Sequence, residues 1–155
     1  MVVLIAVMIV ATAGAAMAVS ATTSFTAQTN AIAVCKITTS ASTIDFGNYD
    51  PTSSSNNDNG TGSFGFKCTK GTVYKVYITP STRAMTSGAE SLNFELYSDA
   101  GRTSVFPSTT AAGISGSAAS NGIEITTNIY GRILAGQDVS AGNAFTQTLT
   151  ATVDY

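Results

Sequence analysis

Residues 144–155 read AFTQTLTATVDY, and Phe145, Leu149, Ala151, Val153 and Tyr155 fall on one face of an extended chain. A period of two over this length predicts a strand with one face on a core and the other in water. The run continues to the last residue of the sequence.

Working towards the N-terminus, the same period returns. Residues 123–130 (IEITTNIY) set Ile123, Ile125 and Ile129 against Glu124 and Asn128. Residues 91–98 (SLNFELYS) set Leu92, Phe94 and Leu96 against Asn93 and Glu95, and 72–79 (TVYKVYIT) align Tyr74, Val76 and Ile78. Residues 63–69 (SFGFKCT), 43–47 (TIDFG) and 30–38 (NAIAVCKIT) complete the set, with 103–106 (TSVF) as a short paired strand. The stretch 52–62, containing SSSNNDNG, and the Ser/Thr/Ala/Gly-rich 107–122 read as loops. Lys70-Gly71 is a turn signal, so 63–79 is expected to form a hairpin. No segment has a helical period. The class is all-β, a sandwich or barrel.

The principal strands lie near 30–47, 63–69, 72–79, 91–98, 123–130 and 144–155. An immunoglobulin-like sandwich has about seven. A missing strand leaves an open edge and uncovered core, which invites pairing with another chain.

One more alternating segment precedes the first cysteine. Ala21, Thr23, Phe25, Ala27 and Thr29 are small or apolar, and Thr22, Ser24, Thr26, Gln28 and Asn30 are polar. The segment, which runs on to Ala33, reads either as an ordinary first strand or as one whose second half belongs to its own domain and whose first half is given to a neighbour.

Residues 2–10 (VVLIAVMIV) are uninterruptedly apolar, and Ala16-Met17-Ala18 has the small-x-small pattern of a signal-peptidase site. The apolar part is shorter than the roughly 20 residues of a membrane span. Residues 1–18 are therefore expected to be a cleaved signal peptide rather than a retained anchor, although no Lys or Arg precedes the apolar run. In an exported chain the two cysteines, Cys35 and Cys68, are expected to form a disulfide. Closing that loop is worth roughly 3–4 kcal/mol in the chain-entropy treatment.

Composition excludes several functions. Charged residues are 10% of 155, the net charge is −2, and histidine is absent. There is no basic footprint for nucleic acid. Without histidine no Ser-His-Asp hydrolase exists, and two thiols alone do not make a zinc site. Asp45, Asp50 and Asp58 lack the spacing of an EF-hand. Glu90, Glu95 and Glu124 read as solvated strand residues before they read as a glycosidase pair. The six tyrosines read first as strand-face packing, second as a sugar platform. No enzyme activity and no cofactor are expected.

Particular motifs narrow the field. They are Cys35-Lys36-Ile37, Ile44-Asp45-Phe46-Gly47-Asn48-Tyr49-Asp50-Pro51, Phe66-Lys67-Cys68-Thr69, Leu92 to Asp99 with Arg102-Thr103, Ile129-Tyr130-Gly131-Arg132, Ala135-Gly136-Gln137 and Thr150 to Tyr155. With these, the chain from Thr22 to Tyr155 resembles the spore coat protein U domain family, which includes subunits of archaic chaperone–usher pili. The resemblance implies an incomplete immunoglobulin-like β-sandwich lacking its last strand, completed by donor-strand exchange. It implies residues 19–29 as donor (Ala21, Thr23, Phe25, Ala27, Thr29) and 30–155 as the pilin domain. Phe145, Leu149, Ala151, Val153 and Tyr155 would then border the acceptor groove and contact a periplasmic chaperone. The further partners implied are neighbouring subunits, as a homopolymer, and an outer-membrane usher. The location implied is a surface pilus, reached through the periplasm. A self-complemented secreted coat or carbohydrate-binding module is the alternative. Arg102 and Arg132 each follow a glycine and read either as turn charges or as contacts between subunits.

Overall fold

The computed structural model describes residues 19–142 and 144–155, so the expected signal peptide lies outside the described residues. The chain separates into two units, Met1–Asn30 and Ala31–Tyr155. In the first, residues 19–30 carry no strand and are exposed at every position, Phe25 to 91%.

The second unit is all-β among the described residues. Strands β1 (Cys35–Thr39), β2 (Thr61–Cys68), β4 (Ala84–Ser87), β5 (Glu90–Tyr97) and β7 (Ile125–Ile133) make one sheet, in the order β1-β2-β7-β5-β4. Strands β3 (Val73–Thr79), β6 (Ile114–Ser117) and β8 (Thr150–Asp154) make the other, in the order β6-β3-β8. Every pairing is antiparallel. This is an immunoglobulin-like sandwich, and it is incomplete: the smaller sheet stops at β8.

The core follows from the alternation. Phe64, Phe66 and Cys68 of β2, Leu92, Phe94 and Leu96 of β5, and Ile129 and Ile133 of β7 point inward. They meet Val76 and Ile78 of β3, and loop residues Phe46, Phe106 and Ala118 close the ends. The ring of Tyr74 on β3 stands edge-on to Phe66 of β2 at 4.9 Å, joining the two layers. Burial of each large side chain contributes about 1.5–3 kcal/mol. Arg83, only 7% exposed, donates to the carbonyls of Ile78 and Pro80 at the end of β3.

Several expected elements are corrected. Residues 63–79 are not a hairpin, because β2 and β3 lie in different sheets. The turn itself forms, with Gly71 at φ 81° and Thr72 N–H donating to Thr69 O at 3.0 Å. It crosses between layers because the apolar faces of β2 and β3 bury against each other. Residues 43–47 are not a strand: the β1–β2 register breaks between Ile37 and Thr39. Beyond that break, Ser42 N–H still donates to Ser63 O at 3.0 Å. Ile123 stands outside β7 and is 63% exposed. The 107–122 loop contains β6, and 103–106 reduces to one bridge, Tyr97 to Val105.

Candidate functional site

Two strands end their sheets on the same side of the sandwich. Among the described residues β1 pairs only with β2, and β8 only with β3. Between them runs a groove. Its narrow end, about 200 Å³, is lined by Cys35, Lys36 and Ile37 and by Ala151, Thr152, Val153 and Tyr155. Its wide end, about 770 Å³, lies between residues 43–49 and 139–147, over Met85, Leu92 and Ile133. One wall is followed from 35 to 49 as the other is followed from 155 back to 139.

The side chains on these walls belong to a core that is not covered. Ile37 sits opposite Phe66 in register, so both project from the same face of the sheet. Phe66 is 0% exposed, whereas Ile37 is 53% exposed. On the other wall Phe145, Leu149, Ala151 and Val153 pack against the core yet are only partly buried.

The backbone of β8 faces the groove in a defined register. Ile78 N–H donates to Pro107 O at 2.9 Å, away from β8. Its partner across the ladder is Ala151. In antiparallel pairing such a residue turns its own N–H and C=O outward, and so does the residue two positions on. Ala151 and Val153 therefore aim donors and acceptors into the groove, while Thr150, Thr152 and Asp154 bond to β3. A strand laid beside β8 finds hydrogen-bonding partners and apolar pockets together.

The disulfide holds the other wall. Cys35 and Cys68 are opposite in register, 4.1 Å apart at Cα, with a sulfur–sulfur distance of 1.99 Å. Thr38 and Thr39 also donate their hydroxyls to Glu124 at 2.8 and 2.9 Å. Those bonds hold the Glu124 carboxyl below its ordinary range.

Of the expected wall residues, Phe145 lines the wide end and Ala151, Val153 and Tyr155 line the narrow end, while Leu149 lines neither. Regular strand covers only Thr150–Asp154, because Thr146 instead bridges to Thr86 of β4. Tyr155 is 58% exposed at the rim. Ala21, Thr23, Phe25, Ala27 and Thr29 lie in the first unit and are exposed. Sequence reasoning missed Ile37, Ile44, Met85 and Val139 as lining. Ile37 shares a face with Cys35 and was within reach of the alternation argument; Val139 stands in a loop and carries no such signal.

The remaining charged candidates serve the fold. Asp45 accepts from Gly47 N–H, and Asp50 from the Thr52 N–H and hydroxyl. No group of three or more Asp, Glu or Cys is placed to hold a metal among the described residues. Arg102 and Arg132 both reach Asp58. Arg132 donates two bonds to its carboxylate, at 2.7 and 2.8 Å. Arg102 lies 3.6 Å away and donates to the carbonyls of Asp58, Ala100 and Gly131, with φ at 54°. The Arg132 guanidinium lies over Tyr97 and that of Arg102 over Tyr130, 5.8 and 6.0 Å from the ring centres. The polar loop, which ends at residue 60 just before β2, is pinned to β7 in this way.

The Arg132 hydrogen bonds, with the charge of Arg102, keep the Asp58 carboxyl below its ordinary value of 3.8. A depressed carboxylate contributes stability above its unfolded pKa and loses it as pH falls through the folded one. Asp58→Asn is expected to cost about 1 kcal/mol, a figure reduced for solvent at a half-exposed pair, or about 2–4 °C in Tm. Thermal scans should show that difference constant from pH 8 to 5 and shrinking below about pH 4. A difference unchanged at pH 3 would contradict the ion pair as its source.

Compared with known proteins, residues 21–152 match the model of the Spore Coat Protein U domain family. No curated protein matches the chain. One similar solved chain is in the crystal structure of the CsuC–CsuE chaperone–tip adhesion subunit pre-assembly complex, from archaic chaperone–usher Csu pili of Acinetobacter baumannii. The TM-score is 0.55 and the identity 16%, over 80% of this chain. The match covers 40% of that chain, and the likeness is one of fold.

Proposed function

The chain belongs to the Spore Coat Protein U domain family, and on that premise we propose that it is a structural subunit of an archaic chaperone–usher pilus. It polymerises by donor-strand complementation into a surface fibre for adhesion and biofilm formation. One observation supports this above the others. The groove between β1 and β8 has core-facing side chains on both walls, and the backbone of Ala151 and Val153 is turned into it.

Residues 19–29 of a neighbouring copy are the occupant. Extended, these eleven residues reach about 36 Å. Backbone bonds give affinity, and alternate side chains entering the groove give register. Each copy gives one strand and receives one, so the contact is heterologous and builds an open fibre. Before assembly a periplasmic chaperone covers the groove, and an outer-membrane usher is the place of exchange. No hydrolysis is needed at each joint if the final pairing lies lower in free energy than the chaperone-held state. The role is structural, without catalysis.

Sedimentation velocity on the purified chain starting at Val19 tests this. An open-ended, concentration-dependent series of oligomers is expected. A monomer at every concentration, as a self-complemented coat or carbohydrate-binding module gives, overturns it; so does a closed dimer.

A further inference from the structure

We infer that Asn57, Tyr49 and Gln137 form a polar clamp that fixes the width of the groove's wide end, so that this end selects an aromatic side chain from the incoming strand. The inference rests on the strand-acceptor reading and adds a specificity determinant to it.

One wall of the wide end hangs from Ile133, the last residue of β7, and the other from β5. Asn57 exchanges two backbone bonds with Ile133, each 2.9 Å. From that anchor its side-chain Nδ2 donates to the carbonyls of Phe46 and Asn48 at 2.8 and 3.2 Å, which holds the 43–49 wall. The Tyr49 hydroxyl donates to Leu134 O and accepts from Gln137 N–H, both at 2.9 Å. The Gln137 side-chain amide meets the Asn93 backbone twice, at 2.7 Å each way, as another strand residue would. That fixes the start of the 139–147 wall against β5.

The position of Phe46 makes the cleft wide. Its ring sinks into the sheet above two glycines: a Cβ on Gly60 or Gly131 would approach the ring to 2.4 or 2.5 Å. The ring lies edge-on to Phe94, 5.7 Å away, and Phe46 is 6% exposed. Phe46 thus belongs to the floor and leaves the space between the walls open. The spacing of the walls is set by hydrogen bonds to β7 and β5. In residues 19–29 the one aromatic side chain is Phe25, with the smaller Thr23 and Ala27 two positions to either side on the same face.

The test measures fluorescence anisotropy of two labelled peptides, residues 19–29 and the same peptide with Phe25→Ala, on the full chain and two variants, each held below the concentration at which sedimentation velocity shows assembly, so that the groove is free. Asn57→Asp keeps the acceptor that Asn59 N–H uses, and in place of the donor it sets a carboxylate oxygen against the Phe46 and Asn48 carbonyls, which pushes that wall away. Tyr49→Phe removes one oxygen and keeps the inference falsifiable if Asn57→Asp does not fold. The wild-type chain is expected to prefer the Phe25 peptide by about tenfold, equivalent to 1.4 kcal/mol. In each variant that preference should fall to about twofold or less, with the weak binding of the Phe25→Ala peptide unchanged. Variants that discriminate as well as wild type overturn the clamp alone. Variants that lose both peptides equally, with a lower Tm, reduce these residues to a structural role and also overturn it. A wild-type chain that binds neither peptide overturns the strand-acceptor reading, and the clamp with it.

Discussion

A chain lacking residues 19–29 is expected to fold, to close the Cys35–Cys68 disulfide and to remain monomeric at concentrations where the intact chain assembles. Residues 19–30 carry no strand and are exposed throughout, so removing most of them takes no strand from either sheet. The expected change in Tm is below about 2 °C, the scale of a surface change of ~0.5 kcal/mol in a domain of this size. Assembly, by contrast, should be lost entirely, since no copy then has a strand to give. The truncated chain keeps its groove and should still accept a peptide of residues 19–29. The self-complemented alternative reverses this pattern: a domain that uses the segment as its own strand loses stability on deletion. A Tm drop of ten degrees or more would therefore favour that alternative.

The sandwich was largely legible in the sequence because its central strands are wetted on one face only. In β5 the alternation places Leu92, Phe94 and Leu96 inward, and they are 3, 7 and 0% exposed. Strand β3 was equally plain at Val76 and Ile78. The strands that escaped notice, β4 and β6, are four residues each and mostly half-exposed or exposed. AMTS and ISGS are too short to show a period, and at an edge little burial selects for one. The misread hairpin has another cause. Turn chemistry at Lys70-Gly71 describes how the chain reverses; whether the next run pairs with the last or crosses to the opposite layer depends on long-range burial.

The groove was legible on one wall. The face Phe145, Leu149, Ala151, Val153 was visible as a pattern, and its half-buried state marks it as core left uncovered. The opposite wall comes partly from residues 43–49, which have no regular structure and are positioned by Asn57. A side chain that holds two distant carbonyls announces nothing in local sequence. The same holds for Asp58: inside SSSNNDNG it reads as loop polarity, and only the fold brings Arg102 and Arg132 to it.

The direction of the β8 backbone supplies the second large prediction. Proline at 151 should leave the subunit folded, because Ala151 N–H points away from β3 and edge positions tolerate the missing donor. It should nevertheless block acceptance, since the ring stands where an incoming strand would place its carbonyl. Proline at 152 should do the opposite, removing a bond to β3 and destabilising the subunit, by about 3 kcal/mol if the penalty resembles that of a helix interior. Ala151→Pro keeps its own residues 19–29 and so can still give a strand. The chain lacking 19–29 can still receive one. Each alone is expected to be monomeric by multi-angle light scattering. Mixed in equal amounts, they should form a one-to-one heterodimer and nothing larger. Two monomers after mixing, or Ala151→Pro assembling by itself into long oligomers, would contradict strand exchange at the open edge of β8.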